Sequence, residues 1–347
     1  MVVDNNMHWM PETLFDDEDF QREFLRQAPR NQDWYFYKTT IPGTDQEQLV
    51  LEQPKGTINV NYTRKDVDSS GRIESMDKGG VDKAIMRIPI VEEWTDLNMC
   101  RKLNDMMYET RSKNPDRLKG LAILPPYPDK DVFYELERCI KELGCVGVEM
   151  AAHYGNRQLD DEIFRPYWAK IAELDVPVVV HHTPLPADYD SIYTSDMRRM
   201  MGRCFAQLNC VTRLLSCGLY EEHPNLRVIH SYMGGGFFAF NEIMMMRRSG
   251  KYKEEMKRVN RKTSIEQYEK YLANNVYFDM CHANPWGKKH MEFAIDALGA
   301  DHVLFGTSYP IRMEWAYDGV EFMNSLDIND EDRALVLGGN AERLFKL

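Results

Sequence analysis

Val176-Pro177-Val178-Val179-Val180-His181-His182 is the stretch whose reading decides the fold. A short unbroken apolar run, rich in β-branched residues and ending in polar groups, marks a strand covered on both faces, as in a parallel sheet under helices. The pattern recurs in Val2-Val3-Asp4 running into Asn6-Met7-His8, and in Lys83–Pro89, Leu118–Pro125 and Cys145–Ala151. It appears again in Leu226–Tyr232, Val276–Cys281 and His302–Ser308. Stretches with helical spacing separate most of these runs. Eight strand–helix alternations predict an α/β fold, a (β/α)8 TIM-like barrel whose active site gathers at the C-terminal strand ends.

The connecting segments agree with that reading. Trp94–Asn114 places Leu97, Cys100, Leu103, Met106 and Met107 at helical spacing, and Asn114-Pro115-Asp116 stops it. Val132, Leu136, Cys139, Ile140 and Leu143 repeat the pattern up to Gly144. Helical segments are also expected at 164–174, 191–223 and 237–273. Residues 12–75 interrupt the rhythm after the first strand. Within them Gln32–Tyr37 and Gly56–Tyr62 read as extended, with turn-like punctuation at Thr40–Gln46 and Asp66–Gly71. The expectation is a single domain over 1–347 with an inserted flap at 12–75, which either covers the barrel mouth or lies at the periphery.

Composition narrows the function classes. The 347 residues are 43% hydrophobic and 28% charged, without a run long enough to span a bilayer, so no membrane partner is expected. The start MVVDNNMHWMPE lacks the basic and apolar parts of a secretory signal. A net charge of -12 argues against a nucleic-acid surface. Seven cysteines without C-x-x-C spacing read as reduced, buried thiols of a cytoplasmic protein.

The predicted strand tips carry the chemistry. Strand one offers Asn6 and His8, two residues apart and so on one side of the strand. Strand two ends in Arg87, strand four supplies Glu149, and strand five ends in His181 and His182. Strand six presents His230 and Tyr232, strand seven Asp279, Cys281 and His282, and strand eight Ser308, with Arg312 beyond. One histidine is commonly structural. Histidines at or next to five tips, counting His153 just beyond strand four, point to a site. Trp9, Trp94, Trp286, Trp315 and Tyr309 also fall near tips, where they either wall a pocket for a flat substrate or pack loops.

Asp4-x-Asn6-x-His8-x-x-Pro11, Met76-Asp77-x-x-Gly80-Val81-Asp82, Asn114-Pro115-Asp116-Arg117 and Leu159-Asp160-Asp161 with Phe164-x-Pro166 recur in one family. So do Pro177–His181, His223-Pro224-Asn225-Leu226, Gly234-Gly235-Gly236, Phe305–Pro310 and Gly339-Asn340-Ala341-x-Arg343-Leu344. With these segments the chain resembles the amidohydrolase-related family. The similar branch contains aminocarboxymuconate-semialdehyde decarboxylase and the resorcylate-type aromatic decarboxylases. The resemblance runs in order over nearly the whole chain except 12–70. It implies a homo-oligomer and a divalent metal, zinc or manganese, held by His-x-His on strand one, a histidine on strand five and an aspartate on strand eight. A strand-six histidine serves as acid or base.

Carried over residue by residue, the metal ligands retained are His8 and His181. Asn6 and Ser308 stand where the family has histidine and aspartate, and Tyr232, or His230 with a two-residue slip, stands for the strand-six histidine. Two histidines alone hold zinc weakly, and Glu149, Asp279 or His282 are the neighbours that could complete a set.

For catalysis, His181 or His8 is the candidate to move a proton, and Tyr232, Asn6 and Ser308 are candidates to meet an oxyanion. Arg87 and Arg312 are candidates for a substrate carboxylate, with Glu149, His182 and His282 completing the pocket. For Arg87 the alternative is an internal ion pair with Glu149. The resemblance favours a carbon–carbon lyase, a decarboxylase of a small cyclic or aromatic carboxylic acid. The alternatives are a hydrolase opening a cyclic ketone, lactone or amide, and an inactive barrel that binds a ligand or a partner.

Overall fold

The computed structural model describes residues 1–56, 58–89, 91–125, 127–181, 197, 201–245, 263–281, 286–311 and 313–347. Its first strand, β1 (Val3–His8), is buried throughout. An antiparallel sheet follows, β2 (Tyr35–Thr40), β3 (Glu47–Glu52) and β4 (Ile58–Thr63), in the order β2-β3-β4. The remaining barrel strands are β5 (Lys83–Arg87), β6 (Leu118–Ala122) and β7 (Gly147–Ala151), then, past the short pair β8 (His153–Tyr154) and β9 (Arg157–Gln158), β10 (Val178–His181), β11 (Val228–His230), β12 (Val276–Asp279) and β13 (Val303–Leu304). Eight of them form one sheet, β1-β5-β6-β7-β10-β11-β12-β13, and every pairing in it is parallel.

Hydrogen bonds across the remaining edge bring the ends of the sheet together. Asn5 N–H donates to the Phe305 carbonyl at 3.0 Å, Ser308 N–H to Asn6 at 2.7 Å, and His8 N–H to Tyr309 at 2.8 Å. Asp4 adds side-chain stitches, accepting from Thr307 N–H at 2.9 Å and from the Thr307 hydroxyl. The backbones meet here because residue 306 is glycine; a Cβ would lie 2.7 Å from that of Asn6. The eight strands with helices between them form the expected TIM-like barrel.

The helices start where a capping group satisfies their free N–H groups. Asp96 accepts from Met99 N–H at the head of Leu97–Ser112, and Asp129 from Val132 N–H at the head of Lys130–Lys141. Their buried faces are Met99, Cys100, Leu103 and Met107, and Val132, Leu136 and Cys139. Inside the barrel, alternation along each strand builds layers. Val3, Ile85, Leu121, Val179, Ile229, Tyr277 and Leu304 form an apolar floor, closed below by Ala341, Leu344 and Phe345 of the terminal helix Asn340–Phe345.

Two local expectations change. The inserted sheet has three strands, because Glu47–Glu52 pairs with both neighbours and buries Leu49, Val50 and Leu51. The Asp66–Gly71 stretch joins two helices, Arg64–Val67 and Ser69–Gly79, across an extended Asp68 that caps the second by accepting from Ser70 N–H. Among the described residues no helix is long and apolar enough to cross a membrane.

Candidate active site

One step above the floor, the same alternation turns polar. Arg87 follows Ile85 inward, Glu149 pairs in register with Val179, His181 follows Val179, Ser231 follows Ile229, and Asp279 follows Tyr277. Each is almost wholly buried. Asn6 and His8 join them from β1 and Ser308 from the segment after β13.

A continuous set of contacts ties five of these side chains together. Asn6 Nδ2 donates to Asp279 Oδ2 at 2.7 Å, and Ser231 Oγ donates to the same oxygen at 3.1 Å. Asp279 Oδ1 accepts from the N–H groups of Tyr232 at 3.2 Å and Cys281 at 3.0 Å. Both terminal nitrogens of Arg87 lie 3.3 Å from Ser231 Oγ, and Arg87 Nε lies 3.2 Å from Glu149 Oε1. Glu149 Oε2 accepts from Ile88 N–H at 3.0 Å. Burial pushes the Glu149 carboxyl above the ordinary range, opposed by Arg87 and the Ile88 N–H group. Arg87 therefore has the internal ion pair, and its guanidinium is occupied within the barrel.

His8 and His181 face each other across this layer, edge to face, with ring centroids 5.5 Å apart. Residues 173 positions apart in sequence meet because β1 and β10 stand across one closed sheet. Asn6 Oδ1 and Ser308 Oγ are buried and make no hydrogen bond. Ser308 has a left-handed backbone, with φ at 57°, which aims the tip of the eighth strand away from a regular extension.

His230 is placed elsewhere. Its neighbours Ile229 and Ser231 face inward, so period-two alternation turns it outward, where Nδ1 lies 3.4 Å from Gln207 Oε1 on the helix Arg203–Ser216. Burial pushes its imidazole down to about 3, so it stays neutral at ordinary pH. The inward strand-six group is Ser231 rather than His230 or Tyr232, two residues beyond the floor residue Ile229.

Tyr232 starts a run of residues with positive φ, from Tyr232 at 57° to Gly236 at 87°. At Gly235 a Cβ would come within 1.9 Å of the Cys204 carbonyl oxygen, so the tight approach to the neighbouring helix demands glycine. Beside it, Tyr232 packs edge to face on Trp286 at 5.7 Å, and Trp286 on Phe238 at 5.6 Å. Of the other predicted wall residues, Trp9 donates to Thr110 at 3.3 Å, Trp94 packs on Trp34, and Trp315 donates to the Gly306 carbonyl. His182, His282 and Arg312 lie outside the described residues.

The amidohydrolase family profile matches residues 81–347. The chain belongs to the amidohydrolase family. It is 32% identical to a gamma-resorcylate decarboxylase of Rhizobium sp. (strain MTP-10005) over 297 residues, covering 80% of this chain and 86% of that one. It is 23% identical to the 2-amino-3-carboxymuconate-6-semialdehyde decarboxylase of Dictyostelium discoideum, covering 79% and 75%. A solved 5-carboxyvanillate decarboxylase from Novosphingobium aromaticivorans, complexed with manganese and a nitrobenzoic acid, shares the fold with a TM-score of 0.78 at 20% identity, over 100% of this chain and 96% of that chain. These relatives bear out the decarboxylase branch, and a divalent metal is present in that solved relative.

The fit of such a metal rests on this chain's donors. His8 and His181 supply two imidazoles, while Asn6 and Ser308 supply only neutral oxygens. Glu149 and Asp279 are already held by Arg87, Asn6, Ser231 and backbone N–H groups. Among the described residues no three histidine, cysteine or acidic side chains come together as a metal site. The donor set among the described residues does not fit a firmly held divalent ion.

Proposed function

We propose that this chain is a decarboxylase of a small aromatic carboxylic acid, with His181 and His8 handling the proton. The observation that carries the reading is their edge-to-face placement in a buried polar layer of a chain related to gamma-resorcylate decarboxylase. The aromatic pair Tyr232–Trp286 beside the mouth suits a flat ring.

The chemistry needs one proton delivered to the ring carbon that bears the carboxylate. That carbon becomes tetrahedral, the bond to the carboxylate breaks, and its electron pair restores the aromatic ring as carbon dioxide departs. An imidazolium at His181 or His8 supplies the proton. Dry surroundings favour conversion of a charged carboxylate to neutral carbon dioxide. Asn6 Oδ1 is free to accept from a substrate hydroxyl and Ser308 Oγ to donate to a substrate oxygen, and the Arg87–Glu149 pair supports the layer from below. Resemblance to the family also supports a homo-oligomer, and the seven free cysteines support a cytoplasmic location.

Incubation with a panel of hydroxybenzoic acids should release carbon dioxide and the matching phenol. His181→Ala should lower kcat by at least about 100-fold while circular dichroism shows the fold intact. Ring-opened products, or a His181→Ala variant as active as the parent, would exclude this assignment.

A further inference from the structure

At the two altered ligand positions, Ser308 lacks the charge of aspartate, and Asn6 replaces the imidazole nitrogen of histidine with an amide that is already bonded. A side-chain amide has one donor end and one acceptor end. Asp279 can only accept from the Asn6 donor end, so the 2.7 Å bond fixes the amide orientation and leaves Oδ1 as its sole free atom. Ser308 sits beside it, its N–H donating to the Asn6 carbonyl at 2.7 Å, with a hydroxyl that is buried and unbonded.

Asp279 cannot take over as the anionic ligand without giving up donors. Its two oxygens already accept from Asn6, Ser231, Tyr232 and Cys281. Glu149 is likewise matched by Arg87 and Ile88. Among the described residues, a divalent ion between His8 and His181 would meet two imidazoles, two neutral oxygens and no free carboxylate to offset its charge. Buried charge of that kind is costly unless compensated.

We propose that this chain has no resident divalent metal, and that the hydrogen-bonded series from Asn6 through Asp279 and Ser231 to Arg87 holds the mouth in the ion's place. The metal-free site stands whether or not the chain proves to be a decarboxylase, because its test reads metal content and stability. Protein produced in medium supplemented with manganese and zinc is measured for bound metal by mass spectrometry. Its Tm is then followed with added manganese and with a chelator.

Substoichiometric metal and a Tm unmoved by either addition are expected. The double variant Asn6→His/Ser308→Asp restores both ligand types and should acquire close to one equivalent of manganese, with a Tm that rises on adding it. Ser308→Asp alone, which supplies the missing carboxylate at the least change of volume, should move the same way by a smaller amount if the double variant fails to fold. Parent protein holding one equivalent of metal, with a Tm that falls on chelation, overturns the proposal. So does an intact double variant that gains no metal.

Discussion

At the scale of single residues, Arg87 and Arg72 show how differently two buried arginines can be accommodated. Both have no solvent exposure. Arg87 is matched by Glu149 at 3.2 Å and Ser231, whereas none of the three Arg72 side-chain nitrogens makes a hydrogen bond. Burial pushes the Arg72 guanidinium below its ordinary value, with Tyr309, Glu12 and Asp68 acting from a distance to hold it charged. Replacing an unpaired buried charge with an apolar side chain of similar length removes a desolvation cost. Arg72→Met should therefore raise stability by about 1–3 kcal/mol in urea unfolding. A loss of stability would show that Arg72 has a partner of real value.

The opposite holds for Glu149. Glu149→Ala strands the Arg87 charge and should cost about 3–5 kcal/mol, while Arg87→Met/Glu149→Met should recover much of that loss. Equal unfolding midpoints for the single and double variants would contradict this account of the pair.

Among elements, the seam between β1 and the Phe305–Ser308 segment carries a pH dependence. Asp4 is fully buried there, and burial pushes its carboxyl from 3.8 up to about 6 despite bonds from Thr307 and Asn6. Between these values the folded chain keeps a proton that the unfolded chain has lost. Stability from this group is thus complete below about 4, falls as pH rises, and is gone above about 6. The loss amounts to about 3 kcal/mol at neutral pH. Asp4→Asn preserves an acceptor for the Asn6 and Thr307 N–H groups and does not titrate. Urea midpoints of parent and variant, measured from pH 4 to pH 7, should diverge with the variant gaining as pH rises. Parallel curves would remove Asp4 from the seam's titration.

For the whole molecule, stability and chemistry occupy separate layers of one barrel. The apolar floor, with Phe345, Leu344 and Ala341 beneath it, lies below the polar layer that holds His8 and His181. Phe345→Ala should cost about 3–5 kcal/mol in denaturant unfolding by leaving a cavity under the floor. At a temperature where the variant remains folded, kcat for any substrate should stay close to that of the parent. A comparable loss of kcat would show that floor and mouth are coupled.

The sequence alone determined the barrel and most of the strands, because a buried parallel strand must be apolar along its length and must end where polar groups are wanted. It also placed His8, His181, Glu149 and Asp279 near one rim, since they stand at predicted strand ends. Sequence did not reveal β3 as a strand, because Glu47–Glu52 becomes one only when both neighbours pair with it. Nor did it separate His230 from Ser231: one step along a strand reverses the face, and only the packed barrel shows which residues point inward. The partners of Asn6 and Arg87 were likewise a tertiary decision. Asp279 lies 273 residues from Asn6, and Ser231 lies 144 residues from Arg87. Contacts of that kind exist only after the sheet curls round and closes, because closure brings strands from opposite ends of the chain within hydrogen-bonding reach.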